Sequence, residues 1–177
     1  MSSWSARREN ACLAGLKDSA ISEVEWTSRS PEETQALGRK LACSLQPGDV
    51  VALTGEIGAG KTTLVQGIAS GLGVPDGTVA SPSFVLVREY RGRIPLYHAD
   101  LFRLNDMRGA ATVGLEEYYD ADGVTVIEWA NRVTEVLPEE HLEIRFHVVD
   151  PQTRQLTLVP HGPKYEPRFN RRRTDGS

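Results

Sequence analysis

Alternating and helical patterns of apolar positions divide the first part of the chain into regular elements. Residues 21–26 alternate apolar and polar side chains, which predicts a strand. Ser30-Pro31-Glu32-Glu33 predicts a helix start, because Ser30 can cap the first turn, Pro31 suits the first helical position and Glu33 completes a capping box. Apolar residues then recur at helical spacing until Pro47-Gly48-Asp49 ends the helix.

The stretch from Asp49 to Thr54 differs because four consecutive apolar residues leave it no polar face. Such a strand is buried on both sides, as in parallel sheets. A glycine-rich loop and a helix over residues 61–70 follow it. Further predicted elements are a hairpin over 84–90 and 94–102, helical turns within 105–120, a strand over 124–127, a short helix over 131–136 and a late hairpin over 142–149 and 155–159. Together they predict an α/β domain with a mixed parallel and antiparallel sheet flanked by helices.

Composition and charge narrow the class of protein. The 177 residues suffice for one domain, and 40% hydrophobic with 25% charged residues is typical of a globular chain. No apolar run approaches the ~20 residues of a membrane span, so we expect a cytoplasmic protein without membrane association.

The charges are unevenly distributed along the chain. Residues 21–163 contain 12 basic and 20 acidic side chains, a net charge of −8, whereas residues 164–177 carry +3. An acidic body argues against a free-standing nucleic-acid-binding protein. We predict a disordered segment over 1–20, one domain over 21–163 and a basic tail over 164–177.

The loop Gly55-Glu56-Ile57-Gly58-Ala59-Gly60-Lys61-Thr62 matches the phosphate-binding pattern G-x-x-x-x-G-K-[ST] at every fixed position. Glycines let backbone N–H groups converge on phosphate oxygens, and the following helix adds the positive end of its dipole. The predicted nucleotide-binding residues are Gly55, Gly58, Ala59, Gly60, Lys61, Thr62 and Thr63. Lys61 is predicted at the β- and γ-phosphates and the Thr62 hydroxyl on Mg²⁺, which indicates a P-loop NTPase-like domain. The alternative is a glycine-rich turn that binds nothing.

Two acidic residues are candidates for the metal side of this site. Glu128 ends the predicted strand over 124–127, where nucleotide hydrolases place a carboxylate near the metal. The alternative is an ordinary strand-end glutamate. Asp100 shares a strand face with His98, and two polar groups on one face of an apolar strand favour a functional role. A salt bridge from Asp100 to Arg103 or another arginine is the alternative. We predict Lys61, Asp100 and Glu128 as catalytic residues, and Thr62 and Glu128 as metal ligands.

The identity of the base is indicated only by a missing motif. GTPases carry an N-K-x-D sequence that recognises guanine, and the chain contains none. The two D-x-x-G matches, at Asp106 and Asp120, are interpreted as turns. ATP is therefore the predicted nucleotide.

Several stretches in this order resemble one family, the bacterial ATPase of tRNA threonylcarbamoyladenosine biosynthesis, called TsaE and formerly YjeE. The matching stretches are Ser30 to Thr34, Gly55 to Thr63, Ser81 to Phe84, Tyr97 to Leu104, Gly114 to Tyr118 and Val126 to Ala130. The phosphate loop is common to many families, but the Ser-Pro-x-Phe, His-x-Asp-x-x-Arg-Leu and Glu-Trp elements are more specific. Departures are mild: Glu56-Ile57 stands for the usual Asp-Leu, Ser83 for Thr and Phe102 for Tyr.

The resemblance implies Mg²⁺-dependent ATP hydrolysis by an accessory protein of the tRNA modification machinery. It implies work with two partner proteins, TsaB and TsaD, and only indirect action on tRNA. On the matching positions, Lys61 and Thr62 hold phosphate and Mg²⁺, Glu128 joins the metal shell and Asp100 assists hydrolysis. Glu33 and Arg154 match positions that approach the nucleotide, although helix capping and surface charge are the favoured interpretations from the residues alone.

Two other functions stay open. A small-molecule kinase also uses such a loop, and Arg103, Arg108 and Arg132 could serve as lid arginines. A non-hydrolysing ATP-binding module would dock partner proteins without turnover.

Overall fold

A single mixed sheet organises the part of the chain that the computed structural model describes, which is residues 17–18, 23–80, 87–103, 114–132 and 134–169. Its eight strands are β1 (Lys17–Asp18), β2 (Val24–Ser28), β3 (Val50–Thr54), β4 (Val87–Tyr90), β5 (Leu96–Asp100), β6 (Val124–Glu128), β7 (His141–Val148) and β8 (Arg154–His161). Their spatial order is β1-β2-β8-β7-β3-β6-β5-β4. The four central strands β7, β3, β6 and β5 are parallel, and the outer pairings are antiparallel. The carboxyl ends of the parallel strands therefore meet at one edge.

Helices cover the sheet. They are α1 (Pro31–Ala42), α2 (Lys61–Gly71), α3 (Glu116–Tyr119) and α4 (Glu166–Phe169), with 3₁₀ turns at Ala130–Arg132 and Thr134–Val136. The Ser30 side chain accepts a hydrogen bond from Glu33 N at 3.2 Å, and the Glu33 carboxylate accepts one from Arg29 N at 2.7 Å. These bonds confirm the predicted cap of α1.

Side chains on both faces of β3 are buried, as the apolar run predicts. Val51 and Leu53 belong to a large core that also contains residues of α1 and α2. Val50 and Ala52 belong to a smaller core on the other face. A strand without a polar face thus lies at the centre of the sheet, and it holds its loop on a rigid support.

The predicted α/β fold with a mixed sheet is confirmed, with some shifted ends. The hairpin strands β4 and β5 pair antiparallel, but residues 84–86 and most of the predicted turns within 105–120 lie outside the described residues. The helix predicted over 131–136 is instead two 3₁₀ turns. In the ranges described above, no helix is both long and apolar enough to cross a bilayer.

Described residues close to both predicted domain boundaries contact the sheet. Lys17–Asp18 pairs antiparallel with β2. At the other end the packed body continues beyond residue 163, because Tyr165 and Phe169 are buried in the large core. The Tyr165 hydroxyl also accepts a hydrogen bond from Val50 N at 2.7 Å. Local charge marked this stretch as a tail, whereas its two aromatic side chains anchor it.

Candidate functional site

The phosphate-binding loop connects the end of β3 to the start of α2. Gly55, Gly58 and Gly60 adopt φ angles of 142°, 73° and 101°, a region that favours glycine. A Cβ atom on Gly55 would also lie 2.8 Å from the Cβ of Phe146 on β7. The loop presents its backbone at the surface around Gly58, while Ala59 is buried beneath it. This arrangement exposes main-chain N–H groups at a helix N-terminus, where anions bind.

Lys61 is held beneath the loop. Its Nζ donates hydrogen bonds to Gly55 O at 2.9 Å and Glu56 O at 2.7 Å, and it lies 3.9 Å from the ring centroid of Trp129. Burial lowers the pKa of Lys61, while the charges of Glu128 and Asp100 oppose that shift. The ammonium group is thus a buried cation next to two carboxylates.

A hydrogen-bonded chain joins α2, β6 and β5 below this lysine. The Thr62 hydroxyl lies 2.9 Å from Glu128 Oε1 and 3.1 Å from Oε2. The same Glu128 Oε1 is 2.7 Å from Nε2 of His98. Glu128 is only 3% exposed and His98 is completely buried. A hydroxyl and a carboxylate in direct contact beside a phosphate loop are the oxygen ligands that Mg²⁺ prefers.

Asp100 lies directly beside Glu128, since the register pairs these two last residues of β5 and β6. Its Oδ1 accepts a hydrogen bond from Phe102 N at 2.9 Å, which orients the carboxylate at the strand end. The structure therefore brings Lys61, Thr62, Asp100 and Glu128 to one edge of the sheet.

Arg154 also reaches the phosphate loop, although weakly. It is the first residue of β8, and its Nη2 lies 3.5 Å from Gly58 O while Nη1 contacts three carbonyls of the preceding turn. Glu33 does not share this placement, because its hydrogen bonds run to the cap of α1. Thr63 follows Thr62 in the first turn of α2 and is partly exposed.

Sequence reasoning missed an aromatic cluster at the same edge. Trp129 has a φ of 62°, the one positive value among non-glycine residues in the described ranges. Its ring lies 5.0 Å from that of Phe102, and the Arg132 guanidinium lies 5.4 and 5.5 Å from the Phe102 and Trp129 rings. An unusual backbone conformation next to Lys61 is a feature of functional sites. The Glu-Trp pair at the end of β6 was the available signal.

Comparison with known proteins bears on this site directly. A sequence profile of the family described as threonylcarbamoyl adenosine biosynthesis protein TsaE matches residues 28–156. That span contains the loop, both carboxylates and Trp129, and it covers most of the chain. The chain belongs to the TsaE family.

Individual TsaE proteins match over nearly their whole length. The chain is 40% identical to the tRNA threonylcarbamoyladenosine biosynthesis protein TsaE of Bacillus subtilis strain 168 over 147 residues, which cover 82% of this chain and 91% of that protein. It is 39% identical to the protein of the same name from Treponema pallidum strain Nichols over 136 residues, covering 77% of this chain and all of that protein.

A solved structure also shares the fold. The crystal structure of YdiB from Bacillus subtilis superposes with a TM-score of 0.70 at 35% identity, covering 86% of this chain and 92% of YdiB. The similarity extends across the sheet and is not confined to the phosphate loop. The TsaE resemblance predicted from separate motifs is thereby confirmed over the whole domain.

Proposed function

We propose that this TsaE-family chain binds ATP together with Mg²⁺ and hydrolyses it. The observation that carries the proposal is the contact of Thr62 Oγ1 with both oxygens of Glu128, at 2.9 and 3.1 Å, beside the buried ammonium of Lys61. The donor set fits Mg²⁺, because both groups supply hard oxygen atoms. Thr62 and Glu128 would hold the ion, and its charge would offset that of the phosphates.

The loop supplies the phosphate-binding half of the site. Its backbone, from Gly55 to the first turn of α2, would cradle phosphate oxygens with N–H groups. Lys61 would exchange its carbonyl partners, Gly55 O and Glu56 O, for phosphate oxygens. The cofactor-binding set is Gly55, Gly58, Ala59, Gly60, Lys61, Thr62 and Thr63. Arg154 would add a positive charge near Gly58, whereas the bonds of Glu33 support a capping role.

Asp100 is proposed to assist hydrolysis. Its carboxylate lies beside Glu128 at the strand ends and is fixed by the N–H of Phe102. It would accept a hydrogen bond from the attacking water and orient it toward the γ-phosphate. Such positioning is the main contribution that proteins make to phosphoryl transfer.

The biological setting is proposed from the relatives. Their name places them in biosynthesis of threonylcarbamoyladenosine in tRNA. The acidic body of this chain is poorly suited to gripping tRNA alone, because the phosphate backbone is held mainly by Lys and Arg. We therefore propose that the chain acts in the cytoplasm with TsaB and TsaD and affects tRNA through them.

The test is release of inorganic phosphate from ATP by purified protein, alone and with TsaB–TsaD. We expect slow Mg²⁺-dependent release that rises when the partners are added. Asp100→Ala should lower release about tenfold or more while most ATP affinity is kept, and the exposed Asp76→Ala serves as matched control. Transfer of phosphate to a small acceptor would support a kinase instead, and binding without turnover would support a docking module.

The cellular role has a separate test. We expect tRNA from a strain that lacks this protein to lose threonylcarbamoyladenosine. Normal levels in a clean deletion, with no second copy of the gene, would refute the biological assignment and leave the ATPase proposal standing.

A further inference from the structure

His98 is a buried polar residue to which the proposed hydrolysis assigns no role. It lies in the middle of β5, opposite Val126 of β6, and its side chain is completely inaccessible to solvent. On its face of β5 the flanking residues are the apolar Leu96 and the acidic Asp100. Burying an imidazole inside the sheet is unfavourable unless its nitrogens are hydrogen-bonded.

Only one of the two ring nitrogens has a partner. Nε2 lies 2.7 Å from Glu128 Oε1, but Nδ1 is buried and has no hydrogen-bond partner in the described part of the chain. A carboxylate oxygen accepts hydrogen bonds, so the imidazole tautomer that fits this contact is the one with the proton on Nε2. A histidine retained for packing alone would be expected to satisfy both nitrogens or to be replaced by an apolar residue. Among the described residues, the only hydrogen-bond partner of the His98 side chain is therefore Glu128.

Two side chains contact the Glu128 carboxylate, and only one of them is itself a proposed Mg²⁺ ligand. The Thr62 hydroxyl contacts both carboxylate oxygens, and Thr62 is itself the proposed ligand of Mg²⁺. His98 contacts the same Oε1 from within the sheet, where its ring is fully buried. Because the two hydrogen bonds come from different elements, the one from β5 can persist when Thr62 turns toward another partner.

We propose that His98 is a positioning residue that orients the Glu128 carboxylate for the Mg²⁺–nucleotide complex through its Nε2–H. The inference rests on the proposed function, because it assigns Glu128 to the metal. Orientation of a metal-binding carboxylate by a buried hydrogen bond commonly changes metal affinity by tenfold or more.

Two amide variants test this inference. The side-chain nitrogen of glutamine reaches about as far from the backbone as Nε2 of histidine, whereas that of asparagine stops near the level of Nδ1. His98→Gln can thus keep the bond to Glu128, and His98→Asn cannot. The measured quantity is the ratio of ATP affinity in Mg²⁺ to ATP affinity in EDTA, obtained by titration calorimetry.

We expect His98→Asn to reduce this ratio about tenfold or more, and His98→Gln to reduce it less than about threefold, with affinity in EDTA unchanged in both. Equal loss in both variants, or equal loss with and without Mg²⁺, would overturn the inference and leave a packing role. If the wild-type protein binds ATP with the same affinity in Mg²⁺ and in EDTA, the proposed function is refuted instead.

A second measurement does not depend on the folding of any variant. Nitrogen-15 NMR of the wild-type imidazole reports which ring nitrogen is protonated. We expect the Nε2–H form for His98, with its proton protected from exchange. The Nδ1–H form would overturn the inference, because Nε2 could then not donate to Glu128.

Discussion

The two ends of the central sheet each bury a carboxylate, but they compensate its charge in different ways. Asp49 precedes β3 at one end and is completely inaccessible to solvent. It accepts hydrogen bonds from Arg168 Nη1 at 2.7 Å and Nη2 at 2.9 Å and from Gln46 N at 2.8 Å, and Lys164 Nζ lies 3.3 Å away. Two cations and a backbone N–H therefore saturate this carboxylate.

Glu128 lies at the opposite end of the sheet, and its hydrogen-bonding partners carry less positive charge than those of Asp49. Its hydrogen bonds come from the Thr62 hydroxyl and the His98 imidazole, and Lys61 directs its own bonds to backbone carbonyls. Among the residues that the structure describes, no arginine contacts this carboxylate, so it keeps the capacity to attract a cation. The two buried acids lie beside the same strand, but the partners of Asp49 fit a structural role, whereas those of Glu128 fit its proposed role toward a ligand.

The largest expected effect is a loss of stability when the arginine partner of Asp49 is removed. Arg168→Ala should lower the free energy of unfolding by about 3 kcal/mol, because it leaves the buried charge of Asp49 without its bidentate partner. Urea denaturation measures this change, and the exposed Glu166→Ala on the same short helix is the control. Hydrolysis per folded molecule should stay at the wild-type rate. An equal loss of stability in both variants would contradict a specific role for the ion pair.

Removal of Lys61 tests the other end. Lys61→Ala should lower ATP turnover about 100-fold or more, since it removes the cation predicted at the β- and γ-phosphates. The melting temperature should change by only a few degrees, because the two carbonyls that Lys61 leaves, Gly55 O and Glu56 O, belong to residues that are partly exposed and can bind water instead. Lys40→Ala, which removes a lysine packed over Trp26, is the matched control. Wild-type-like phosphate release by Lys61→Ala would remove the lysine from the proposed mechanism.

The smallest expected effect is a pH dependence that comes from two histidines and not from either carboxylate. His141 and His161 face each other on β7 and β8, with ring centroids 4.4 Å apart. Burial lowers the pKa of His141, and the nearby His161 acts in the same direction, while Pro138 O and Glu143 oppose it. The unfolded chain therefore binds a proton at higher pH than the folded one, so stability falls as the pH drops through about 6.5.

The expected loss is less than about 1 kcal/mol, because His141 is half-buried and solvent screens it. His141→Gln should flatten the change of unfolding free energy between about pH 7.5 and 5.5, whereas the exposed His147→Gln should not. Identical slopes in the wild type and His141→Gln would show that other groups cause the dependence.

The contrast between the two ends also explains what the sequence could predict. The phosphate loop was predictable because its chemistry lies in eight consecutive residues, and Glu128 because it ends an apolar strand. The Asp49–Arg168 pair joins residues 119 positions apart, and no local pattern marks such a contact. The basic charges after residue 163 therefore suggested a solvated tail, whereas Arg168 and the buried Tyr165 attach residues 164–169 to Asp49 and β3.

Within the candidate site too, features of a local pattern were predictable from the sequence, and contacts between distant residues were not. Placement of His98 and Asp100 on one strand face was readable from the period of two, and the register of β5 agrees with it. The partner of His98 was not readable, because the register of β5 against β6 depends on the whole sheet. The positive φ of Trp129 was hidden as well, since a tryptophan after a strand does not predict a left-handed backbone.

The central claim is that Glu128 serves Mg²⁺ and nucleotide while Asp49 serves the fold. The most direct measurement is the Mg²⁺ enhancement of ATP affinity, determined side by side with urea stability, for Glu128→Gln and Asp49→Asn. We predict that Glu128→Gln loses about tenfold or more of the enhancement and keeps most of its stability, and that Asp49→Asn shows the reverse. An undiminished Mg²⁺ enhancement in Glu128→Gln would contradict the account.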